Sequence, residues 1–291
     1  MSDFVRSAYE VARKEVLQHV RTKRLFIIAG LIVLSLILLT VVFGPDIARG
    51  TNLGDAGVAT ENFVLLVYFS TFFIGGYFFL ELLAIILTAD AVCSEWSNKT
   101  LFLLLSKPVS RASFVVGKFL GSYVTVAVTM LLLFGLDYLA IQPGYNGSPS
   151  GKEVLGFFGA LGILVLGAGA FSAMALFFST VTRSTVMALL FTLGMWIIVL
   201  PLLGQIGFFI ELGHDPPDIN SDLVHGWRYV SPHNDMTAAG KLLVTNDEIR
   251  GVLDFIGQTP SSVPISIVSL LVHIAVWFGG SLLVVTRRNF E

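Results

Sequence analysis

Three stretches of the 291-residue sequence carry residues that could do chemistry, and the first is centred on Glu81. This residue lies in the apolar run 63–88, seven positions before Thr88, about 10 Å inside the end of a membrane helix. Burying a carboxylate at that depth costs about 2.5–3.5 kcal/mol, so the side chain must face protein or water. Two interpretations stay open: a titratable group in a transport or gating pathway, or a structural hydrogen bond, of which the second is favoured.

The second stretch is a polar region after residue 210 that is rich in imidazole and carboxylate groups. Both groups bind zinc or copper, but no pair here has the compact helical spacing of a strong metal motif. The residues concerned are His214, Asp215, Asp218, Asp222, His225, His233 and Asp235. A solvated acidic loop is therefore favoured over a metal site, and no metal is predicted.

The third stretch runs from Glu95 to Arg111. Its apolar core, Leu101–Leu105, is too short to cross a bilayer and has polar residues on both sides. A short helix in the membrane interface, ending near Pro108, would bury these leucines and present Glu95 to the cytosol, as a docking element does. A tight surface loop without a partner is the alternative.

No other part of the sequence looks like a catalytic centre. A P-loop needs Gly-x-x-x-x-Gly-Lys followed by Ser or Thr to hold the phosphates of a nucleotide. Gly117-Lys118 is followed by Phe119 and lacks the upstream glycine. The lone Cys93 excludes an intramolecular disulfide. The sequence therefore predicts no enzyme activity, no cofactor bound by this chain and no nucleic-acid partner.

Membrane helices must position these residues. Hydrophobic residues make up 55% of the chain and charged residues 13%, and the mean hydropathy is +0.81, which is typical of a membrane protein. Six apolar runs are long enough to span a bilayer. They are 25–43, 63–88, 114–140, 154–180, 186–210 and 263–285. We predict an all-α polytopic fold in a single transmembrane domain, residues 1–291, with a kink at Pro201 in span five.

The distribution of positive charge predicts the orientation. Most of the 18 Lys and Arg residues lie before span one, between spans two and three, between spans four and five, or at the C-terminus. The positive-inside rule places both termini in the cytoplasm, the chain in a plasma or cytoplasmic membrane, and residues 211–262 in an extracytoplasmic loop. Residues 2–24 have apolar side chains on one helical face, which predicts an amphipathic helix on the inner leaflet; a solvated basic tail is the alternative.

The Glu95–Arg111 stretch also resembles a known family. The run SEWSNKTLFLLLSKPVSRASFVVGKFLGS is similar to the hallmark of the type-2 ABC exporter permeases, although Asn98-Lys99 replaces the usual glycine before Thr100. The six-span plan resembles this family as well. The matching residues are Glu95, Thr100, Leu101, Leu104, Leu105, Ser106, Pro108, Val109, Ser110, Arg111, Gly117, Lys118 and Phe119.

This resemblance implies the permease subunit of an ATP-driven exporter of unknown substrate. It implies a cytoplasmic coupling helix between spans two and three, a separate cytoplasmic ATPase subunit that binds ATP and Mg²⁺, and a second permease copy or paralogue. The residues implied in ATPase coupling are Glu95, Thr100, Leu101, Ser106, Pro108 and Arg111. Two other functions stay open: an ion-coupled secondary transporter or channel that uses Glu81, and a membrane anchor for an enzyme.

Overall fold

The computed structural model describes residues 3–38, 77–97, 110–141, 151–214, 226–243 and 262–287, and the regular structure in these ranges is helical. Twelve α-helices follow one another in the described parts of the chain. They are α1 (Asp3–Arg21), α2 (Lys23–Leu38), α3 (Tyr77–Thr88), α4 (Cys93–Ser97), α5 (Arg111–Ile141), α6 (Gly151–Val181), α7 (Thr185–Gly194), α8 (Leu200–Gly204), α9 (Ile206–Glu211), α10 (Pro232–Met236), α11 (Ala238–Leu243) and α12 (Val263–Arg287).

Four helical segments in the described ranges are long and apolar enough to cross a membrane. They are Arg111–Leu136, Val154–Val181, Thr185–Glu211 and Val263–Arg287. Their bounds agree with predicted spans three to six to within a few residues, because an apolar run in lipid must satisfy its backbone polar groups internally and so becomes a helix. Spans one and two lie partly outside the described residues, so the six-span count stays a prediction.

Helix α6 is the centre of the packing. It contacts α3, α5, α11 and α12, and small residues on it allow the close approaches. At Gly169 an added Cβ would meet Tyr123 of α5 and Ile274 of α12 at 3.1 Å. The side chains of Ala168, Phe171 and Leu164 are fully buried, so the middle of α6 is covered by the subunit's own helices.

Span five departs from α-helical geometry where Pro201 predicts a kink. Residues Met195–Val199 form a π-helical turn between α7 and α8, and the Leu200 N–H donates to the carbonyl of Met195, five residues earlier. Proline has no N–H to give to the fourth preceding carbonyl, so the chain changes its hydrogen-bond register just before it. The turn places Trp196 in the core, with its ring centroid 5.1 Å from that of Phe78 in α3.

The prediction of an N-terminal helix is confirmed by α1. This helix ends at Arg21, and α2 begins at Lys23. One face, which includes Ala8, Glu15 and His19, is buried against α5. Apolar side chains on the rest of its surface, such as Tyr9 and Val20, are exposed in the isolated chain. Its position at the inner leaflet stays a prediction, but its docking on span three is a feature that the sequence did not reveal.

Candidate functional site

A buried lysine joins three helices near the start of α5. Lys118 lies seven residues after Arg111, about 10 Å along the helix, and its side chain is only 2% exposed. Its Nζ donates to Glu15 Oε2 of α1 at 2.6 Å and to Glu95 Oε1 of α4 at 3.2 Å. Lys14, which is 51% exposed, gives Glu95 Oε1 a second donor at 3.0 Å. We call these four residues the charged joint.

The buried members of the charged joint compensate one another's charge. An isolated buried charge is strongly unfavourable, so each member of a buried ion pair depends on its partner. Burial raises the pKa of the Glu15 carboxyl, but the adjacent His19 ring and the Lys118 ammonium outweigh this and hold it below its ordinary value. His19 Nε2 also lies 3.2 Å from the Ser122 hydroxyl, a second polar contact between α1 and α5.

Two glycines of α5 bring α1 close enough for these contacts. A Cβ at Gly117 would lie 2.6 Å from the Ala8 carbonyl oxygen, and one at Gly121 would lie 2.5 Å from Glu15 Cβ. Real Cβ atoms do not approach so closely, so only glycine fits at these positions. The Gly-Lys-Phe motif thus has three structural tasks: Gly117 admits α1, Lys118 forms the joint, and the Phe119 ring packs on Tyr123 and Phe278.

We expect Gly121→Val to displace α1 and lower the free energy of unfolding by about 1–3 kcal/mol, as overpacking does. The thermal midpoint of the detergent-solubilised chain measures this loss. Gly135→Val is the matched control, because Gly135 lies on the same helix with nothing within 4 Å of its added Cβ. A Gly121→Val midpoint equal to that of the control would show that the close approach does not exist.

The end of span four anchors the turn that leads to α4. Ser179 Oγ accepts two hydrogen bonds, from the N–H groups of Val92 at 3.0 Å and of Cys93 at 3.1 Å. The Arg183 guanidinium lies over the Trp96 ring, 4.8 Å from its centroid. Helix α4 is therefore held by span four at its start and by the charged joint at Glu95.

The structure describes two of the six predicted coupling residues, Glu95 and Arg111. Glu95 is buried at the charged joint, so the expectation that its side chain faces the cytosol is wrong; its neighbours Lys118 and Lys14 cover it. Arg111 begins α5, and its Nη1 donates to the Thr286 carbonyl at the end of α12, 3.4 Å away. Thr100, Leu101, Ser106 and Pro108 lie outside the described residues, and the coupling role of the whole set stays a prediction.

A second polar group lies deep among the spans and contains Glu81. This side chain is fully buried, and its Oε1 is 2.8 Å from Nδ1 of His233 in α10. Trp196 of the π-helical turn lies close to the same carboxyl group, while Oε2 has no hydrogen-bond partner among the described residues. The structure places Glu81 away from the charged joint and pairs it with a residue that the sequence assigned to a solvated loop.

Residues 226–243, which we call the re-entrant segment, run along the spans rather than over them. Met236 packs where a side chain on Gly167 would stand, and Leu242 packs at Gly159. Gly167 lies near the middle of the 31-residue helix α6, about 21 Å from Val181. The segment therefore enters to mid-span depth near Met236 and returns along α6.

Span six satisfies the irregular backbone of this segment. Ser269 Oγ donates to the Tyr229 carbonyl at 2.8 Å, and His273 Nε2 lies 2.9 Å from the Val230 carbonyl oxygen. Non-helical backbone is tolerated at membrane depth only where neighbouring side chains satisfy it in this way. Asp235 is completely buried, so the expectation of a solvated acidic loop is wrong for this residue. No cluster of three or more metal-ligating side chains occurs among the residues that the structure describes.

Comparison with known proteins identifies the class. A sequence model described as "ABC-2 family transporter protein" matches residues 9–286, so the chain belongs to this family and is a membrane permease of the ABC type. This result confirms the resemblance of the chain to type-2 ABC permeases.

Two curated proteins share a short part of the chain. A protein named "Probable ABC transporter permease protein NosY" from Pseudomonas aeruginosa is 41% identical over 64 residues, which is 22% of this chain and 23% of that protein. The protein of the same name from Stutzerimonas stutzeri is 39% identical over 64 residues, with the same coverage. The match thus spans about a quarter of the length of these relatives.

Proposed function

We propose that this chain is the membrane-spanning subunit of an exporter driven by ATP that a separate cytoplasmic ATPase subunit hydrolyses. The observation that carries the proposal is the charged joint, in which Lys118 connects α1, α4 and the base of span three. Helices α4 and α5 flank residues 98–109, which hold most of the predicted coupling element. A force applied there by an ATPase reaches span three and α1 together.

The family and the sequence support the assignment of transport to this chain and of ATP hydrolysis to a separate subunit. ABC-2 permeases are membrane components, and this chain has no P-loop with which to bind ATP and Mg²⁺. The partner chain then supplies both, and two permeases with two ATPases make the complete transporter. Both termini lie in the cytoplasm of the plasma or cytoplasmic membrane in this arrangement. The substrate is not specified by the short stretch shared with the NosY proteins.

Because Glu95 is buried, we assign it a positioning role and not a direct contact with the ATPase. A buried carboxylate does not touch the ATPase; it positions α4 so that the following residues can. Arg111, which begins span three beside the end of α12, acts at the other end of the same element. Both residues are positioning residues for the docking surface.

Affinity purification of the tagged chain in mild detergent tests the proposal. We expect a P-loop ATPase to co-purify in equal amount, and the Glu95→Gln/Arg111→Gln variant to recover much less of it while inserting normally. Glu211→Gln, at the far end of span five, is the matched control and should recover the wild-type amount. Ion-coupled flux by a chain that purifies without an ATPase would contradict the proposal and favour the Glu81 alternative.

A further inference from the structure

An apolar stripe runs along α1, beside the face of this helix that packs on α5. It is formed by Val5, Tyr9 and Val20, whose side chains are 47–60% exposed. At about 100° per residue these three positions project within about 60° of one another. The centre of the stripe lies about 90° around the helix from Ala8 and His19 of the buried face. The stripe is therefore a second, separate apolar surface of α1.

The stripe is continuous with the exposed apolar surface of α2. Helix α2 begins at Lys23, directly after the end of α1, and it contains the described part of predicted span one. The side chains of Phe26, Ile27 and Leu34 on it are 56–63% exposed. An exposed apolar surface that joins a membrane span to a helix with one apolar side lies against lipid, at the boundary between headgroups and acyl chains.

Charged residues of α1 are distributed unevenly about the stripe. Arg13 and Arg6 project about 50° and 70° from its centre, on the side away from α5, and both are exposed. Asp3 and Glu10 project farther away, at about 110–130°, and Glu15 is buried in the charged joint. Long cationic side chains at the edge of an apolar surface extend their charged ends to the headgroups. Cations and not carboxylates therefore border the lipid.

We propose that the apolar stripe, with Arg6 and Arg13 at its edge, is a binding surface for anionic phospholipids of the inner leaflet. The apolar side chains pack among the acyl chains, and the two guanidinium groups bind headgroup phosphates. A zwitterionic headgroup also has a phosphate, but its own ammonium group balances the charge, so an anionic headgroup binds more tightly. Because α1 carries Lys14 and Glu15, the bound lipid also fixes the helix that supplies half of the charged joint.

A lipid titration of the detergent-solubilised full chain tests this surface. Phosphatidylglycerol, or phosphatidylcholine with the same acyl chains, is added to the micelles, and the rise of the thermal midpoint gives an apparent affinity. We expect phosphatidylglycerol to bind more tightly than phosphatidylcholine. The Arg6→Gln/Arg13→Gln variant should bind phosphatidylglycerol about thirtyfold more weakly, which is about fivefold for each arginine, with its affinity for phosphatidylcholine unchanged.

Two variants and one soluble probe serve as controls. Arg21→Gln removes an exposed arginine of the same helix that projects about 130° from the stripe, so it should change the affinity by less than about twofold. Arg6→Lys/Arg13→Lys keeps both charges and should keep the preference for phosphatidylglycerol. Glycerol 3-phosphate has the same phosphate group without acyl chains and should leave the midpoint unchanged.

Three results would overturn the proposal. They are an unchanged phosphatidylglycerol affinity in Arg6→Gln/Arg13→Gln, an equal loss in Arg21→Gln, and a response to glycerol 3-phosphate as large as that to the lipid, which would indicate a site for soluble anions. If Arg6→Gln/Arg13→Gln instead lowers the recovery of the co-purified ATPase and leaves lipid affinity unchanged, the surface binds the ATPase. The titration contains no ATPase, so its result stands apart from that of the proposed function.

Discussion

Replacing Lys118 by methionine is expected to lower the free energy of unfolding by about 3–5 kcal/mol, the largest effect of any single substitution considered for this chain. The change leaves Glu15 and Glu95 buried without their shared cation, and it separates α1 and α4 from span three. Thermal unfolding in detergent measures the loss, and protease cleavage within α1 reports whether that helix has left its place on α5.

Lys14→Met is the matched control for Lys118→Met. Both lysines contact the same Glu95 oxygen, but Lys14 is half-exposed, so its loss should change stability by at most about 1 kcal/mol. The triple variant Lys118→Met/Glu15→Gln/Glu95→Gln removes the ionic contacts without leaving a buried charge and should recover most of the stability. Equal losses for Lys118→Met and Lys14→Met would contradict the buried geometry of the charged joint.

Ser179→Ala is expected to be the next most damaging change, with a loss of about 2–4 kcal/mol. It leaves the N–H groups of Val92 and Cys93 buried without an acceptor, at about 1–3 kcal/mol for each unsatisfied group. Helix α4 then loses its anchor on span four, so the thermal midpoint falls and the Cys93 thiol becomes reactive toward maleimide.

Ser281→Ala provides the comparison for Ser179→Ala. Ser281 is equally buried, but its hydroxyl only donates to the Trp277 carbonyl within α12. Removing this hydroxyl leaves no buried N–H unpaired, so the free energy of unfolding should fall only slightly. If the two serine variants unfold alike and Cys93 stays unreactive in both, Ser179 does not anchor α4.

The spanning helices can be predicted from the sequence because each one depends on residues that are close together in the chain. An apolar run such as 154–180 has one way to satisfy its backbone in lipid, and the structure ends that helix at Val181. Pro201 likewise predicts a local break, and the π-helical turn occurs directly before it. Each of these features depends on residues within a few positions of one another.

The charged joint could not be predicted in the same way, because its members are far apart in the chain. Lys118 was part of the family motif, but its partner Glu15 lies 103 positions away in a helix that sequence patterns place on the membrane surface. The predicted exposure of Glu95 followed from a short interfacial helix that buries Leu101–Leu105 in the membrane and presents its polar residues to the cytosol. The burial of Glu95 depends on how α1 crosses α5 at Gly117 and Gly121, which is a tertiary feature.

His233 and Asp235 of the re-entrant segment were assigned to a solvated loop because they are polar, whereas the apolar spacing of 236–243 predicts a short helix that rests on the outer leaflet or dips into it. The depth of the segment depends on side chains from span six that satisfy its carbonyls. One feature of the sequence could have revealed it: Ser266, Ser269 and His273 follow at helical spacing and form a polar stripe on an otherwise apolar helix. Such a stripe in a membrane span predicts a polar partner at the same depth.

ATP hydrolysis by the purified permease–ATPase complex in vesicles tests the central proposal most directly, because it asks whether the charged joint couples the two subunits. We predict that the triple variant Lys118→Met/Glu15→Gln/Glu95→Gln, with the ATPase added in enough excess to offset weaker binding, no longer alters the rate of hydrolysis relative to the ATPase alone. The wild-type and Lys14→Met chains should both alter that rate. Identical rates for the wild-type and triple-variant complexes would contradict coupling through the charged joint.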